Sequence, residues 1–131
     1  CRGEMGEYIK GHNLQRVRLC GFERDLQKIY SNSDLLVSVS DSEGFGLVFI
    51  EAFYYGVPVV SFDCPVSPRE VIGDAGVLVS CFDENEYADV VVAKLSETEG
   101  LCKLQMNAIN RAKSFYSNTI AKRWNDLLTS M

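Results

Sequence analysis

The sequence predicts an α/β domain with a parallel sheet, and three observations support this prediction. Short apolar segments that suit strands alternate with segments that suit helices along most of the 131-residue chain. Residues 57–62 are apolar almost without interruption, which is typical of a strand buried on both faces. A glycine-rich turn at residues 42–46 joins one strand to the next helix. Parallel strands need such crossover connections, whose helices cover both faces of the sheet.

The individual elements follow from the spacing of apolar residues. We predict short strands at 17–20, 35–39, 57–62 and 76–79, and helical segments at 24–31, about 46–55 and 69–72. Gly56, with Pro58 just beyond it, marks the end of the second of these helices. The rest is predicted to form three helices, with apolar stripes made of Tyr87, Val91 and Leu95, then Leu101, Leu104, Ala108, Ile109, Ala112 and Phe115, and finally Ile120, Trp124, Leu127 and Leu128.

Composition and charge limit the functions that this domain can have. With 47% hydrophobic residues the chain can bury one core, so a single domain is expected. The 13 basic residues are scattered and the net charge is -5, which argues against nucleic acid as a partner. No apolar run approaches the roughly 20 residues of a membrane span, and the first residues do not form a signal peptide. A cytoplasmic protein is therefore expected, with its five cysteines as reduced thiols.

The stretch 42–52 carries the clearest chemical signal, because Glu43 and Glu51 lie on either side of a glycine-rich helix start. Free N–H groups and a partial positive charge at a helix start favour phosphate, whereas carboxylates favour neutral hydroxyl groups. Gly44 and Gly46 would let the backbone approach phosphate oxygens closely. Helical steps from one glutamate to the other would span about 12 Å. A ligand with hydroxyl groups on both sides of a diphosphate, such as a nucleotide sugar, fits this pattern.

The predicted strands place this motif in a crevice. Ligands of Rossmann-like sheets bind at the carboxyl ends of the strands, where Gly21 and Phe22, residues 40–46 and residues 63–69 all fall. We therefore expect these three loops to line one site. A purely structural interpretation remains open at this point. The first glutamate would then be a favourable charge near a helix start, the second a solvated helix residue, and the glycines only part of a turn.

The motif is embedded in a longer pattern of residues. The pattern comprises Gly21-Phe22, Leu26, Tyr30, Ser33-Asp34-Leu35, Gly56-Val57-Pro58-Val59-Val60 and Pro68-Arg69-Glu70-Val71-Ile72. Together with Glu43 and Glu51 at Glu-x(7)-Glu spacing, it resembles the group 1 retaining glycosyltransferases over roughly residues 3–131. That family has the two-domain GT-B fold. The resemblance implies that the chain is the C-terminal half of a GT-B enzyme, the domain that holds the nucleotide-sugar donor.

The resemblance also implies roles for the residues of the motif. Glu43 would contact hydroxyl groups of the donor sugar, and Glu51 would contact those of the ribose. The backbone of the turn would contact the donor sugar and the diphosphate through Gly44, Phe45, Gly46 and Leu47. No nucleophile is assigned, because the leaving diphosphate is thought to assist the acceptor in this family. No metal and no cofactor other than the nucleoside diphosphate sugar itself is expected, and the chain has no clustered Asp/His ligand set.

Several residues are weaker candidates. By the same resemblance, the loop at Gly21 and Phe22 would lie near the base, with Phe22 either stacking on it or serving as a core or rim aromatic. Arg69 would form a local ion pair with Glu70 or reach the ligand, and Glu70 would otherwise brace its loop. His12, the only histidine, is interpreted as an exposed turn residue and not as catalytic. The stripe of the last helix is expected to pack onto the domain, with a membrane-surface role as the alternative.

Parts of the family pattern have no counterpart in these residues. They are an Arg and a Lys on the diphosphate, the first strand or strands, and the N-terminal acceptor domain. We therefore expect residues 1–131 to be a single, N-terminally truncated donor-binding domain that is inactive alone. The intact enzyme would transfer a hexosyl group to a glycan or lipid-linked saccharide, as in polysaccharide biosynthesis, and would contact a membrane only through the missing domain. A GT-B-like sugar-nucleotide epimerase or phosphorylase, and a non-catalytic nucleotide-binding module, remain alternatives.

Overall fold

The computed structural model describes residues 2–65 and 68–130. Its elements, in chain order, are α1 (Arg2–Gly11), α2 (Leu26–Tyr30), β1 (Leu36–Ser38), α3 (Leu47–Tyr54), β2 (Val59–Phe62), α4 (Pro68–Ile72), β3 (Gly76–Val79), α5 (Glu84–Ser96), α6 (Thr98–Ala112) and α7 (Ser117–Thr129). A short 3-10 helix, Lys113–Phe115, lies between α6 and α7. The order alternates strands and helices up to β3 and is helical thereafter.

The three strands form one parallel sheet in the order β1-β2-β3. Val60 of β2 lies beside Val37 of β1 on one side and beside Val77 of β3 on the other. All four residues of β2 are buried, as expected for a central strand with both faces covered. Because the strands are parallel, the loops that follow β1 and β2 start from the same edge of the sheet.

Two apolar clusters cover the two faces of the sheet. Val59 faces the larger cluster, in which α3, α4 and α6 bury side chains such as Phe49, Phe53 and Ile72. Val60 faces the smaller cluster, which α5 covers. Successive strand residues point to opposite faces, so one strand contributes to both clusters. The parallel sheet flanked by helices confirms the predicted α/β fold.

Tyr87 of α5 contacts both β1 and β2 on the second face of the sheet. Its ring packs edge-on against Phe62, with ring centroids 4.9 Å apart. Its hydroxyl lies 2.7 Å from the carbonyl oxygen of Val60 and 3.0 Å from that of Ser38. Burial raises the pKa of this hydroxyl, so it stays protonated and donates to these carbonyls at neutral pH. One side chain of α5 therefore links the last residue of β1 to the middle of β2.

The predicted strand at residues 17–20 is wrong. These residues are exposed and irregular, with Val17 50% exposed. A strand needs a neighbour that completes its hydrogen bonds, and the described part of the chain supplies none for this segment. Helix α1 was not predicted from the sequence. Its residues are mostly exposed, so it lacks the apolar stripe that indicates a helix in sequence.

Some of the remaining predictions about the fold are confirmed and others are wrong. The strand at 76–79 and the three helices after residue 83 are present as predicted. The strands predicted at 35–39 and 57–62 are present with boundaries that differ by one or two residues. The packing expected for the stripe of α7 is wrong for its last three members, because Trp124, Leu127 and Leu128 are more than half exposed. The four described cysteines are free, and Cys1 lies outside the described residues. Among the described helices, none is long and apolar enough to cross a membrane.

Candidate functional site

The loops after β1 and β2 lie side by side at the carboxyl edge of the sheet. The thiol of Cys64, which is buried just after β2, interacts with both the backbone and the carboxylate of Glu43. Burial raises the pKa of the Cys64 thiol most, and the neighbouring Cys81 and Glu43 act in the same direction. Hydrogen bonding to the backbone of Cys64 and Glu43 partly opposes this rise. The fold therefore holds the loop that carries Glu43 against the end of the central strand.

Helix α3 starts at a glycine whose conformation few other residues adopt. Gly46 is the N-cap, with φ 73° and ψ 46° in the left-handed region, where a Cβ would cost about 1–2 kcal/mol. As a glycine it provides no side-chain cap for the N–H groups of the first helical turn. Uncapped N–H groups at a helix start can bind an external acceptor, and the helix dipole favours an anionic one. Gly46 therefore both turns the chain and leaves the helix start open.

Gly44 differs from Gly46, because nothing in the described chain requires a glycine at its position. A Cβ placed on Gly44 would meet no atom within 4 Å, and its φ lies outside the left-handed region. A side chain would therefore fit without a clash and without backbone strain. The space beside Gly44 is open to a bound molecule, and a side chain there would intrude into that space.

The two glutamates of the motif have different surroundings. Glu43 is half-buried, and within residues 2–65 and 68–130 its carboxylate makes no ion pair or side-chain hydrogen bond. Glu51 is exposed on α3, and the hydroxyl of Tyr30 lies 3.5 Å from its Oε2. Neither carboxylate is within ion-pair distance of a basic side chain in the described residues. Both therefore keep oxygens free to accept hydrogen bonds from neutral hydroxyl groups.

Tyr30 is a neighbour of the site that the sequence analysis did not identify. Its side chain is 6% exposed, and its hydroxyl also lies 3.5 Å from the Val48 carbonyl oxygen. Burial and, next, the charge of Glu51 raise the pKa of Tyr30 to about 12. In the sequence, Tyr30 is only one member of the longer pattern that carries the family resemblance. The contact with Glu51, 21 positions away, exists only in the folded chain.

Phe45 occupies the outer side of the turn. It is 54% exposed, and its ring meets the ring of Phe115 edge-on with centroids 6.2 Å apart. The guanidinium carbon of Arg111 lies 5.3 Å from the centre of the Phe115 ring. This places one cationic side chain near the turn, behind the aromatic pair. Phe115 was predicted only as part of an apolar stripe, so its contact with the turn is also a finding of the fold.

The ion pair expected between Arg69 and Glu70 is wrong. The Arg69 guanidinium pairs with Asp63 instead, and this carboxylate raises the pKa of Arg69. The reason is geometric, since adjacent residues on a helix do not face each other. The Glu70 side chain is exposed, and its backbone carbonyl accepts a hydrogen bond from Arg111. Arg69 therefore lies at the end of β2, but its charge is already partly neutralised.

The Gly21 and Phe22 candidates lie in an irregular, exposed segment. Phe22 is 89% exposed, and no hydrogen bond or ring contact joins it to the rest of the described chain. Gly21 has a φ of 72° and does not end a strand. His12 lies in an exposed turn, as predicted, where its Nδ1 is 2.9 Å from the Tyr8 carbonyl oxygen. The contacts of the described residues join two of the three loops expected at one crevice, those after β1 and β2.

A cavity of about 550 Å³ lies away from the motif, at the far end of α3. It is lined by Tyr54, Tyr116, Ser117 and Asn118, and neither glutamate of the motif belongs to it. No group of three or more His, Cys, Asp or Glu side chains in the described residues is arranged to hold a metal ion. The motif offers carboxylate acceptors and N–H donors at the carboxyl edge of the sheet, outside that cavity.

The fold and this surface define the class of protein. The sheet and helices match the α/β domain of GT-B glycosyltransferases. The chain belongs to the family of group 1 glycosyl transferases, whose family profile matches residues 2–97. This confirms the resemblance found in the sequence. The match includes the whole Glu-x(7)-Glu motif.

Individual relatives agree with this assignment. The chain is 30% identical over 129 residues to an amylovoran biosynthesis glycosyltransferase, AmsD, of Erwinia amylovora, covering 97% of this chain and 36% of the relative. Anabaena HepE, solved with UDP, is 26% identical with a TM-score of 0.86, covering 98% of this chain and 36% of that one. Staphylococcus aureus TarM, solved as a mutant with fondaparinux, alpha-GlcNAc-glycerol and UDP, is 28% identical with a TM-score of 0.85, covering 95% and 26%. The chain thus spans about a third of these proteins.

Proposed function

We propose that this chain is the donor-binding domain of a retaining glycosyltransferase, which transfers a hexosyl group from a nucleoside diphosphate sugar to an acceptor. One observation carries the proposal. Two carboxylates without basic partners lie on either side of an uncapped helix start, within residues 2–65 and 68–130. A diphosphate suits the helix start, and hydroxyl groups suit the carboxylates. The two moieties that flank the diphosphate of a nucleotide sugar, ribose and hexose, both carry hydroxyl groups.

In this proposal Glu43 accepts hydrogen bonds from hydroxyl groups of the donor sugar, and Glu51 accepts them from the ribose. Neither glutamate touches the phosphates, since like charges repel. The open space beside Gly44 admits the sugar, and the Leu47 end of α3 faces the diphosphate. Gly21, Phe22, Arg69 and Glu70 are not included in this set, because their contacts tie them to other parts of the chain or to none.

The chemistry assigned to this domain is electrostatic. Breaking the bond between sugar and diphosphate leaves negative charge on the departing phosphate. N–H groups fixed at the start of α3 stabilise that charge without having to reorganise. The chain needs to supply no covalent nucleophile for this step. The acceptor, a glycan or lipid-linked saccharide in our proposal, would bind to a separate domain of a longer protein.

The relatives support both the nucleotide-sugar donor and the saccharide acceptor in this proposal. HepE has been solved with UDP-glucose as well as with UDP, and TarM has been solved with UDP beside two saccharide compounds. The AmsD relative is named an amylovoran biosynthesis glycosyltransferase, and a relative from Streptomyces coelicolor is named an exopolysaccharide phosphotransferase. On this basis we extend the proposal to a role in polysaccharide biosynthesis.

A titration with nucleoside diphosphates tests donor binding. UDP, GDP and ADP are added to isotopically labelled protein, and the amide signals of residues 44–47 are expected to shift with at least one of them. Glu51→Gln should weaken that binding about tenfold, because it removes a charged acceptor. Glu99→Gln, an exposed change on α6, is the matched control and should have no effect. Unmoved amide signals with all three nucleotides would contradict the proposal.

Product analysis with the full-length protein tests the reaction itself. The expected products are a free nucleoside diphosphate and a glycoside with the anomeric configuration of the donor. An epimerase would return an altered nucleotide sugar, and a phosphorylase would consume inorganic phosphate. Either result would replace the transferase assignment while leaving donor binding intact.

A further inference from the structure

We propose that Tyr30 is a positioning residue for the nucleotide ribose, because its buried hydroxyl holds the Glu51 carboxylate in place on the exposed face of α3. The inference rests on the proposed function, since it assigns a role to a residue behind one of the two glutamates. The Tyr30 hydroxyl lies 3.5 Å from Glu51 Oε2. No other side chain in the described residues forms a hydrogen bond or ion pair with that carboxylate.

Tyr30 itself is firmly held. It is the last residue of α2, and its ring is packed in the main apolar cluster with Phe49 and Phe53. It stacks on Tyr55, with ring centroids 5.6 Å apart and planes 17° from parallel. A ring fixed on both sides leaves the hydroxyl only the freedom to rotate its hydrogen. The hydroxyl is therefore a stationary donor beside a carboxylate that is otherwise free to move.

The hydroxyl hydrogen has two possible acceptors. Glu51 Oε2 and the Val48 carbonyl oxygen are both 3.5 Å away, longer than the range of about 2.5–3.0 Å that is typical of an O–H···O hydrogen bond. In a regular helix the Val48 carbonyl also receives the N–H of the residue four positions later. The carboxylate is charged, so it is the stronger acceptor of the two. A ribose that draws Glu51 into a fixed position would strengthen this contact.

The protonation state of Tyr30 suits a donor. Its pKa is raised to about 12, first by burial and then by the charge of Glu51. The hydroxyl therefore keeps its hydrogen throughout the neutral range, so it attracts the carboxylate and never repels it. With Oε2 beside the Tyr30 hydroxyl, Oε1 has no hydrogen-bond donor in the described residues and can accept a hydrogen bond from a ribose hydroxyl.

The test compares two ligands in two proteins. Calorimetry measures the affinity of the full-length protein for UDP and for 2′,3′-dideoxy-UDP, which lacks the ribose hydroxyls. Tyr30→Phe keeps the ring and removes only the hydroxyl, and it should weaken UDP binding by about three- to tenfold. It should leave the affinity for 2′,3′-dideoxy-UDP unchanged, because no ribose hydroxyl is then present for Glu51 to accept. An equal loss with both ligands, or no loss with either, would overturn the proposal.

A matched variant separates positioning from loss of stability. Tyr87→Phe also removes a buried tyrosine hydroxyl, but one that contacts the carbonyls of Val60 and Ser38. It should reduce stability without changing the ratio of the two affinities. If Tyr30→Phe does not fold, Glu51→Ala with intact Tyr30 provides a second measurement. In Glu51→Ala the Tyr30 pKa should fall, and UDP and 2′,3′-dideoxy-UDP should bind with equal affinity. If neither result is found, the proposal is overturned.

The outcomes distinguish this inference from the function on which it rests. If Glu51→Gln removes the preference for UDP over 2′,3′-dideoxy-UDP but Tyr30→Phe does not, only the role of Tyr30 is wrong. If the parent protein binds none of UDP, GDP and ADP, the proposed function fails first. If it binds GDP or ADP instead of UDP, the same comparison is made with that nucleotide and its 2′,3′-dideoxy analogue. In a double variant, Tyr30→Phe with Glu51→Gln, the two losses should not add, because both act on one contact.

Discussion

The turn 43–46 and helix α3 belong to one sequence motif, but the structure treats them very differently. The helix buries Phe49, Ala52 and Phe53 completely, whereas in the turn Phe45 is 54% exposed and a Cβ on Gly44 would meet no described atom within 4 Å. The helix carries a glutamate beside a tyrosine hydroxyl. The glutamate of the turn interacts electrostatically with the Cys64 thiol but makes no ion pair or side-chain hydrogen bond in the described residues. Helix α3 is therefore packed into the core, whereas the turn remains accessible. Four predictions test this contrast.

The largest expected effect is on the buried side of the helix. Phe53→Ala should lower the free energy of unfolding by about 3–5 kcal/mol, because it leaves a cavity in the main cluster. Phe45→Ala in the turn should cost only about 1 kcal/mol, since it loses one edge-on ring contact and little burial. Urea unfolding followed by circular dichroism measures both. Similar losses for the two variants would contradict the contrast between helix and turn.

The second prediction concerns the unpartnered glutamate of the turn. Glu43→Gln should weaken nucleotide-sugar binding by about tenfold or more, because hydrogen bonds to a charged group contribute about 1.5–3 kcal/mol. Its free energy of unfolding should not fall, since in residues 2–65 and 68–130 the carboxylate has no ion pair or side-chain hydrogen bond to lose. Calorimetric titration with UDP-glucose and urea unfolding of the same variant give the two numbers. A clear loss of stability with unchanged binding would give Glu43 a structural role instead.

The two glycines of the turn should respond in opposite ways. Gly46→Ala should reduce stability by about 1–2 kcal/mol, because its backbone is left-handed. Gly44→Ala should leave stability within about 0.5 kcal/mol, yet weaken donor binding by placing a methyl group in the open space. Thermal unfolding and calorimetric titration, carried out on both variants, check this. If Gly46→Ala is as stable as the parent protein, the left-handed backbone at this position does not require glycine.

The smallest effect is a shift in the titration of Tyr30. Stability that depends on its protonated hydroxyl is complete below the unfolded pKa of about 10. It is lost as the pH rises toward the folded pKa of about 12. Glu51→Gln removes a charge that raises this pKa, so the folded pKa should fall, whereas Glu43→Gln should leave it unchanged. Ultraviolet titration at alkaline pH, with Tyr30→Phe to assign the signal, makes the measurement. Equal shifts in both glutamate variants would refute the difference between their surroundings.

The sequence predicts the strands and helices near the motif better than it predicts residues 17–20 and the packing of α7. Strands and helices near the motif were predictable because their apolar residues repeat with the period of the element that buries them. Residues 17–20 have the same apolar character but form no strand, because pairing depends on a neighbour and not on the segment itself. Likewise, the spacing of α7 correctly indicated a helix but could not show that Trp124 and Leu128 would remain exposed.

The chemistry of the site was predictable in part for the same reason. Helix-start and carboxylate chemistry are local, so Glu43, the glycines and Glu51 could be proposed as site residues from their spacing together with the surrounding pattern. The contacts of Tyr30 with Glu51 and of Arg69 with Asp63 depend on how distant or turned segments meet. Glu70 was expected to be the partner of Arg69 because it is adjacent in sequence. Adjacent side chains on a helix point apart, and the carboxylate at the end of the neighbouring strand was the accessible one.

The emptiness around Gly44 has a practical consequence. A thiol introduced by Gly44→Cys would have room for a small fluorescent label without disturbing any neighbour. Such a label would sit beside the half-buried Glu43, where an arriving ligand displaces water. Cys64 is buried and Cys81 half-buried, so labelling would compete mainly with the exposed Cys20 and Cys102 and with Cys1, which lies outside the described residues; all three are replaceable by serine. A position that no described neighbour requires to be glycine is therefore also the place from which occupancy of the proposed site can be observed directly.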